Sequence, residues 1–577
     1  MYIKPYDLFP VGALSLRGII GEALRKNILC RLEKLDYALM VDPFRFRTED
    51  DGAWRCEFWG KVVRSAILAW RLEPSSFLLE KIRDTVKDLL STQTTDGCIS
   101  TYPADKQISG WDIWGRKYVL LALLRYYRLI EASPEILDAC CRMVDHLLSQ
   151  LTGERADLRA CGMHDGLASC SILGGIVELY EATGEKRYLD FAHRLIESGC
   201  SLKENVFDAA LKGVPPKGIG NAKAYELTSC FKGAAAYSRM AGEEKYKTCV
   251  EKYFRMVAEQ EIFVTGTAGG RDDCGEFWFD GVINQTCEKP GCGLGETCVT
   301  ATWLHLCESA FSLDWTDPAP FDQMETSLYN AILGAMSQSG DRWTHVNPTP
   351  LTGGGWKESP PDQIRRWFNT PFDEHDCCRA QGPEGLAFGA AHAVLRLPDG
   401  FMVNFYEDFL LENTTSSGAA YTVENSGAYL TRGVTELFFK MKCPTDFKAV
   451  LRIPAWSKKC EVFLNEEKIA VCAGKYCIID RVWSDGDHIL IDFHPDVDVV
   501  YPNVTSGYFA LKYGPVVLAE PGKATTDPDP CGNWEICSTG RGRILNVKQG
   551  NFTACDYASA GSAFSPDDPL RVFFPSK

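Results

Sequence analysis

A chain of 577 residues exceeds what one hydrophobic core usually serves, so two or three domains are expected. Its hydrophobic share of 45% and charged share of 24% are those of an ordinary globular protein. A formal net charge of −16 argues against nucleic acid or an anionic membrane as the main partner, because an acidic surface is repelled by both.

The segment from Met1 to Val11 has no basic stretch followed by a long apolar run, and no segment offers about 18 uninterrupted apolar residues. A cytoplasmic chain with no membrane span is expected. The 24 cysteines are then read mostly as reduced, buried, small apolar groups rather than as disulfides. A homodimer is left open.

From Phe58 onward a weak repeat runs through the chain: FWGKVVRSAILAWRLEP from Phe58, GRKYVLLALLRYYRLIEASPE from Gly115, SILGGIVELYEATGEKRYLDFA from Ser171, and FKGAAAYSRMAGEEKYKTCV from Phe231. Each reads as an amphipathic helix, a short polar turn and a second helix. The markers Trp70, Tyr126, Tyr180 and Tyr237 lie roughly 55 residues apart, a period that signals stacked helix pairs. About six pairs fit between residues 50 and 395; the pattern alone suits an open superhelix or a closed (α/α)6 toroid equally. The longer loops at 200–226, 261–297 and 338–384 are the natural place for a site.

Near Leu395 the period changes to two. GFMVNFYEDF, AVLRIPAW, KCEVFLN, KYCIID, HILIDFH and GYFALKYGPVVLAE read as strands between turns such as Asp399-Gly400 and Asp485-Gly486. The expected organisation is a helical domain over 1–395 and one or two antiparallel β-sandwiches over 396–577, with the Gly-, Ser- and Asp-rich stretch 522–562 as a long loop.

The sharpest chemical feature is His375-Asp376-Cys377-Cys378, read as part of a loop between helices; the second is Gly295-Glu296-Thr297-Cys298. Three soft sulfurs and a carboxylate make a chemically complete tetrahedral set for Zn²⁺, although the spacing is not that of a zinc finger and inert buried cysteines fit the same pattern. A Gly- and acid-rich loop, Gly269 to Phe277, carries Glu276, and glycosidases commonly need a carboxylate on each side of the scissile bond. His164 in CGMHDGLA is a candidate for hydrogen bonding to sugar hydroxyls, and Trp114 and Tyr225 for stacking on a sugar face; backbone capping and helix packing are their ordinary alternatives. His345 and Trp367 are candidates for an entrance, and His375 and Asp376 for orienting the cysteines.

Taken together and in order, FWGKVVRSAILAW at 58–70, DGCISTY at 96–102, DIWGRKYVLLALLRYY at 112–127, LYEATGEKRYLDFA at 179–192, AYELTSCFKG at 224–233, Gly275-Glu276, GETC at 295–298, the Cys377-Cys378 pair, LRIPAW at 451–456 and YGPVVLA at 513–519 resemble glycoside hydrolase family 127, the β-L-arabinofuranosidases. The resemblance covers nearly the whole chain. It implies a mainly α N-terminal (α/α)6 barrel followed by antiparallel β-sandwich domains. It also implies Zn²⁺ held by Glu296, Cys298, Cys377 and Cys378, with Cys377 as nucleophile, Glu276 as general acid/base and a glycoside as substrate. The implied reaction is retaining, exo-acting hydrolysis of a terminal pentofuranose through a cysteine thioglycosyl intermediate.

Two positions depart from the family pattern. Arg379-Ala380-Gln381-Gly382-Pro383 follows the cysteine pair in place of Pro and Asn, and Lys223 stands where many members have histidine before AYE. Both leave the thiolate chemistry intact and open the sugar identity. A related furanoside, or an acidic sugar attracted by Lys223 and Arg379, is one alternative; an (α/α)6 glycosidase or lyase working only with acids, histidines and tyrosines is another; a carbohydrate-binding or scaffold protein with structural zinc is a third.

Overall fold

The computed structural model describes residues 4–49, 53–270, 276–286, 294–348, 377–503, 505–522, 526–537, 545–563 and 570–576. Trp367, His375 and Asp376 lie outside the described residues, as do residues 271–275 of the stretch Gly269 to Phe277.

Of the helices among the described residues, twelve form the two layers of the N-terminal domain: α1 (Ile19–Asn27), α2 (Phe58–Leu72), α3 (Ser76–Leu90), α4 (Asp112–Leu129), α5 (Pro134–Gln150), α6 (Leu173–Thr183), α7 (Lys186–Glu197), α8 (Ala224–Ala241), α9 (Glu244–Gln260), α10 (Thr297–Leu313), α11 (Ala319–Ser327) and α12 (Cys377–Ala391). The even-numbered helices form a ring in which each touches the next: α2 with α4, α4 with α6, α6 with α8, α8 with α10, α10 with α12, and α12 back to α2. Each odd-numbered helix from α3 to α11 lies against the inner helix before it, and α1 covers α12. The ring closes, so the domain is an (α/α)6 barrel and not an open superhelix.

The two rings differ in sequence as their burial requires. In α4 the run Asp112–Leu124 is buried on every side, whereas α5 buries Ile136, Ala139, Cys140, Met143, Val144 and Leu147 on one stripe and gives the other face to water. Ser75 and Ser133 cap α3 and α5 by accepting from Leu78 N and Glu135 N. Gly184 and Gly242 end α6 and α8 at φ of 69° and 75°, a left-handed corner that glycine enters without a Cβ clash.

The barrel axis is filled with charge as well as hydrocarbon. Glu384 on α12 is fully buried and is met by Arg64 at 2.6 Å, Arg125 at 2.9 Å and His305 at 3.2 Å. Burial alone would raise its pKa, but the two guanidinium groups hold it well below the carboxylate range. Burial pushes His305 down to about 3, so its imidazole is neutral. Glu384→Ala leaves two arginines without their counter-charge and is expected to cost about 3–5 kcal/mol of stability. Urea unfolding checks this; a midpoint within error of wild type removes Glu384 from the barrel's support.

From Val394 onward the described residues are mainly antiparallel β-structure with one parallel pairing. A seven-stranded sheet, which includes Ala420–Ala428 and Val434–Met441, faces a four-stranded sheet built on Thr445–Ile453 and Lys475–Trp483. Tyr421 stacks on Phe447 at 4.1 Å, and Phe439 on Trp483 at 4.0 Å, each pair spanning the two sheets. The edge of the larger sheet is the N-terminal strand Leu14–Leu16, paired to Phe409–Thr414, which ties the start of the chain to the sandwich. A third sheet includes Tyr508–Tyr513, Val516–Pro521 and Phe552–Asp556.

Two local expectations are corrected. The stretch 522–562 is not one loop: Asn546–Gln549 and Phe552–Asp556 form a hairpin at Gly550, followed by a helix over Tyr557–Ala563. The polar composition of the whole stretch hides the short alternation in which Val547 and Ala554 turn inward. Nor do Cys377 and Cys378 lie in a loop; they occupy the first turn of α12 despite Pro383 within that helix. Proline at 383 cannot donate to the carbonyl of Arg379, and Arg31 Nη2 donates to it instead at 2.9 Å.

A candidate metal and catalytic centre

Glu296 and the cysteines reach one point because two inner helices begin there. The strand Leu294–Glu296 pairs with Val346–Pro348 and runs straight into α10, so Glu296 is the residue that precedes the helix and Cys298 lies in its first turn. Glu296 N donates to Ala268 O at 2.9 Å, Thr297 N to His345 O at 2.9 Å, and Thr297 Oγ1 to Thr344 O at 2.7 Å. The neighbouring helix α12 begins with Cys377 and Cys378. Both starts present the positive end of a helix to the sulfurs, which favours thiolate over thiol.

One ligand atom from each of Glu296, Cys298, Cys377 and Cys378 lies within 4.8 Å of the other three. Cys377 Sγ is 3.9 Å from Cys378 Sγ and 4.0 Å from Glu296 Oε1, and Cys378 Sγ is 3.3 Å from that oxygen. A tetrahedron with zinc–sulfur arms of about 2.3 Å and a zinc–oxygen arm of about 2.1 Å has edges of about 3.6–3.8 Å, close to these spacings. Glu296 Oε2 is buried with no hydrogen-bond partner, an uncompensated acceptor that a cation would relieve. The donor set therefore fits a tetrahedral thiophilic dication. The described cysteines are all free of disulfides.

The sulfurs are not equivalent. Cys298 and Cys378 are buried and Cys377 is only half-buried. Hydrogen bonds from Cys298 and Cys378 hold the Cys377 thiol well below the usual thiol range, whereas burial pushes Cys298 and Cys378 up. Of the three sulfurs, Cys377 is the one drawn toward the thiolate and the one not fully buried.

Glu276 stands beside this cluster: a carboxylate oxygen of Glu276, one of Glu296 and a ring nitrogen of His345 also lie within 4.8 Å of one another. Its backbone is tied to the start of α8, since Ala224 N donates to Glu276 O at 2.9 Å and Trp278 N to Ala222 O at 2.9 Å. Lys223 Nζ forms an ion pair with Glu276 Oε2 and is itself buried. His345, expected at the entrance, is 2% exposed and belongs to the floor.

The remaining candidates flank the same end of the barrel. His164 is half-buried in a left-handed turn at φ 56°, its ring 5.4 Å from that of Trp111 and its Nε2 3.9 Å from Glu226 Oε1. Trp114 and Tyr225 are buried edge to face at 5.3 Å. Their polar atoms are engaged within the protein: Trp114 Nε1 donates to Glu57 Oε2, and the Tyr225 hydroxyl bonds that of Tyr118.

Glu57 and Lys61 are neighbours that the pattern of repeats passed over. Lys61 Nζ lies 3.9 Å from Cys298 Sγ and 3.1 Å from Glu57 Oε2, and Lys61 is 1% exposed. The available signal was a lysine at a buried, inward position of FWGK, where the helical period calls for an apolar residue.

Comparisons with known proteins give the family and the fold. Residues 30–388 match the model of the β-L-arabinofuranosidase GH127 catalytic domain, and residues 401–494 that of the GH127 middle domain. A non-reducing end β-L-arabinofuranosidase of Bifidobacterium longum subsp. longum is 22% identical over 524 residues, covering 80% of this chain and 76% of the relative. The crystal structure of a GH127 β-L-arabinofuranosidase from Geobacillus stearothermophilus T6 superposes with a TM-score of 0.76 at 19% identity, covering 98% of this chain and all of the other. A second solved GH127 β-arabinofuranosidase gives 0.77 at 17% identity, covering 100% and 98%. With a catalytic-domain match over more than half its length, the chain belongs to the GH127 β-L-arabinofuranosidase family of glycoside hydrolases.

Proposed function

We propose that this glycosidase is a zinc-dependent retaining exo-hydrolase that releases a terminal β-L-arabinofuranose through a thioglycosyl intermediate on Cys377. The observation that carries the reading is the set of three sulfurs and one carboxylate within 4.8 Å of one another, of which Cys377 alone is not fully buried. The substrate and the exo mode rest on the activity for which the Bifidobacterium relative is named.

In the first step Cys377 Sγ attacks the anomeric carbon, the bond to the leaving oxygen breaks, and Glu276 gives that oxygen its proton. In the second, Glu276 takes a proton from water, the oxygen of that water attacks the anomeric carbon from the opened face, and the carbon–sulfur bond returns its electron pair to Cys377. Two inversions leave the configuration retained. Bound Zn²⁺ would supply the charge that keeps three thiolates ionised side by side and fixes their positions. Lys223 orients the Glu276 carboxylate. Because its ammonium is already paired, an acidic sugar is the less favoured substrate.

Metal-stripped protein is expected to lose activity toward an aryl β-L-arabinofuranoside and to regain it with Zn²⁺. A haloacetamide derivative of the same sugar is expected to label Cys377. Full activity in protein shown by elemental analysis to be metal-free overturns the zinc requirement, and labelling of another residue overturns the nucleophile. Sugar binding without turnover by any aryl furanoside favours a binding protein with structural metal.

A further inference from the structure

Three thiolates and a carboxylate around one dication leave two negative charges in a pocket whose members, Cys377 apart, are closed to water. A buried charge of this kind is costly unless an opposite charge lies against it. Lys61 meets the requirement. Its ammonium is 3.9 Å from Cys298 Sγ, and it reaches that point from α2 through a sleeve of aromatic faces, 4.9 Å from the centre of the Tyr225 ring and 5.1 Å from that of Tyr118. Its other contact, Glu57, is itself held by Trp114 Nε1. The chain Trp114–Glu57–Lys61–Cys298 thus fixes a cation against one sulfur from α2, the helical turn Arg55–Glu57 before it and α4, none of which contributes a ligand. Lys117 lies on the same inner wall, over the Trp114 ring at 3.8 Å.

We propose that Lys61 is a positioning residue that donates to Cys298 and supplies the counter-charge that lets three thiolates share one metal ion. Glu57 and Trp114 hold it in place. This rests on the zinc reading above.

The test measures Zn²⁺ affinity at fixed pH by competition with a chromophoric chelator, and the sulfur-to-metal charge-transfer band after Co²⁺ substitution. Wild type, Lys61→Met, Lys61→Arg and the double variant Glu57→Gln/Lys61→Met are compared. Lys61→Met is expected to bind Zn²⁺ about 10- to 100-fold more weakly and to lose charge-transfer intensity, as altered partners of metal ligands do. Lys61→Arg is expected to recover most of both.

The double variant removes both buried charges together, so it folds without an orphan and is expected to keep the metal defect. Recovery of wild-type affinity in the double variant means that Lys61 serves only to neutralise Glu57, and overturns the proposal. Unchanged affinity and spectrum in Lys61→Met do the same. Wild-type protein that takes up no zinc instead overturns the metal reading on which the proposal rests.

Discussion

Cys377→Ser is expected to lower kcat/KM by at least about 10³-fold while the barrel stays folded, because on the proposed mechanism it removes the nucleophile and exchanges one sulfur of the metal set for a hydroxyl. A serine hydroxyl at this position remains protonated at neutral pH, where the thiol of Cys377 is drawn down by its two neighbours. Intact-mass measurement during turnover of a slow substrate separates a chemical loss from a structural one. Wild type is expected to accumulate a species heavier by one arabinosyl group, and the serine variant none. Retention of more than a tenth of wild-type activity by Cys377→Ser sinks the thiolate mechanism outright.

The second large effect is expected at Glu276. Glu276→Gln cannot protonate the departing oxygen, and the loss for an alkyl glycoside should reach about 10²–10⁴-fold. An aryl glycoside whose phenol leaves without protonation should lose far less in the first step, so the deficit depends on the leaving group. With such a substrate the second step becomes limiting, since no base activates water. Azide, which needs no deprotonation, is expected to restore turnover and to yield the glycosyl azide with retained configuration. A uniform loss across leaving groups, with no response to azide, assigns Glu276 to binding and leaves the acid/base unidentified.

Much of this organisation is legible in the residues. The helix–turn–helix period announces paired helices, and the change from a period near 3.6 to one of 2 marks the passage from barrel to sandwich near Val394. Closure of the ring is not legible, because it depends on α12 meeting α2 across some 300 intervening residues, and a local repeat carries no record of that meeting. The donors of the candidate centre are legible as residue types, but their setting is not. The cysteine pair reads as a loop, whereas it opens a helix in which the Arg379 carbonyl that Pro383 leaves unpaired is taken by the distant Arg31. Lys61 escapes notice for a related reason: a lysine in a helix is ordinarily a surface residue, and its place against Cys298 appears only when helices from opposite ends of the domain are brought together.

The strand that delivers Glu296 rests on the third sheet. Leu294 and Val346 pack with Val517, Cys555, Tyr557, Leu570 and Phe573, while Asn330 of the barrel donates to Pro515 O at 2.9 Å and accepts from Val517 N at 2.8 Å. During synthesis the barrel emerges first, and the support beneath Glu296 follows that residue more than 200 residues later. A nascent chain halted near residue 500 would hold its cysteines beside an unbacked strand. Loss of the segment between Ala510 and Phe573 would therefore uncover the strand that carries Glu296, while the ring of helices would keep its own contacts.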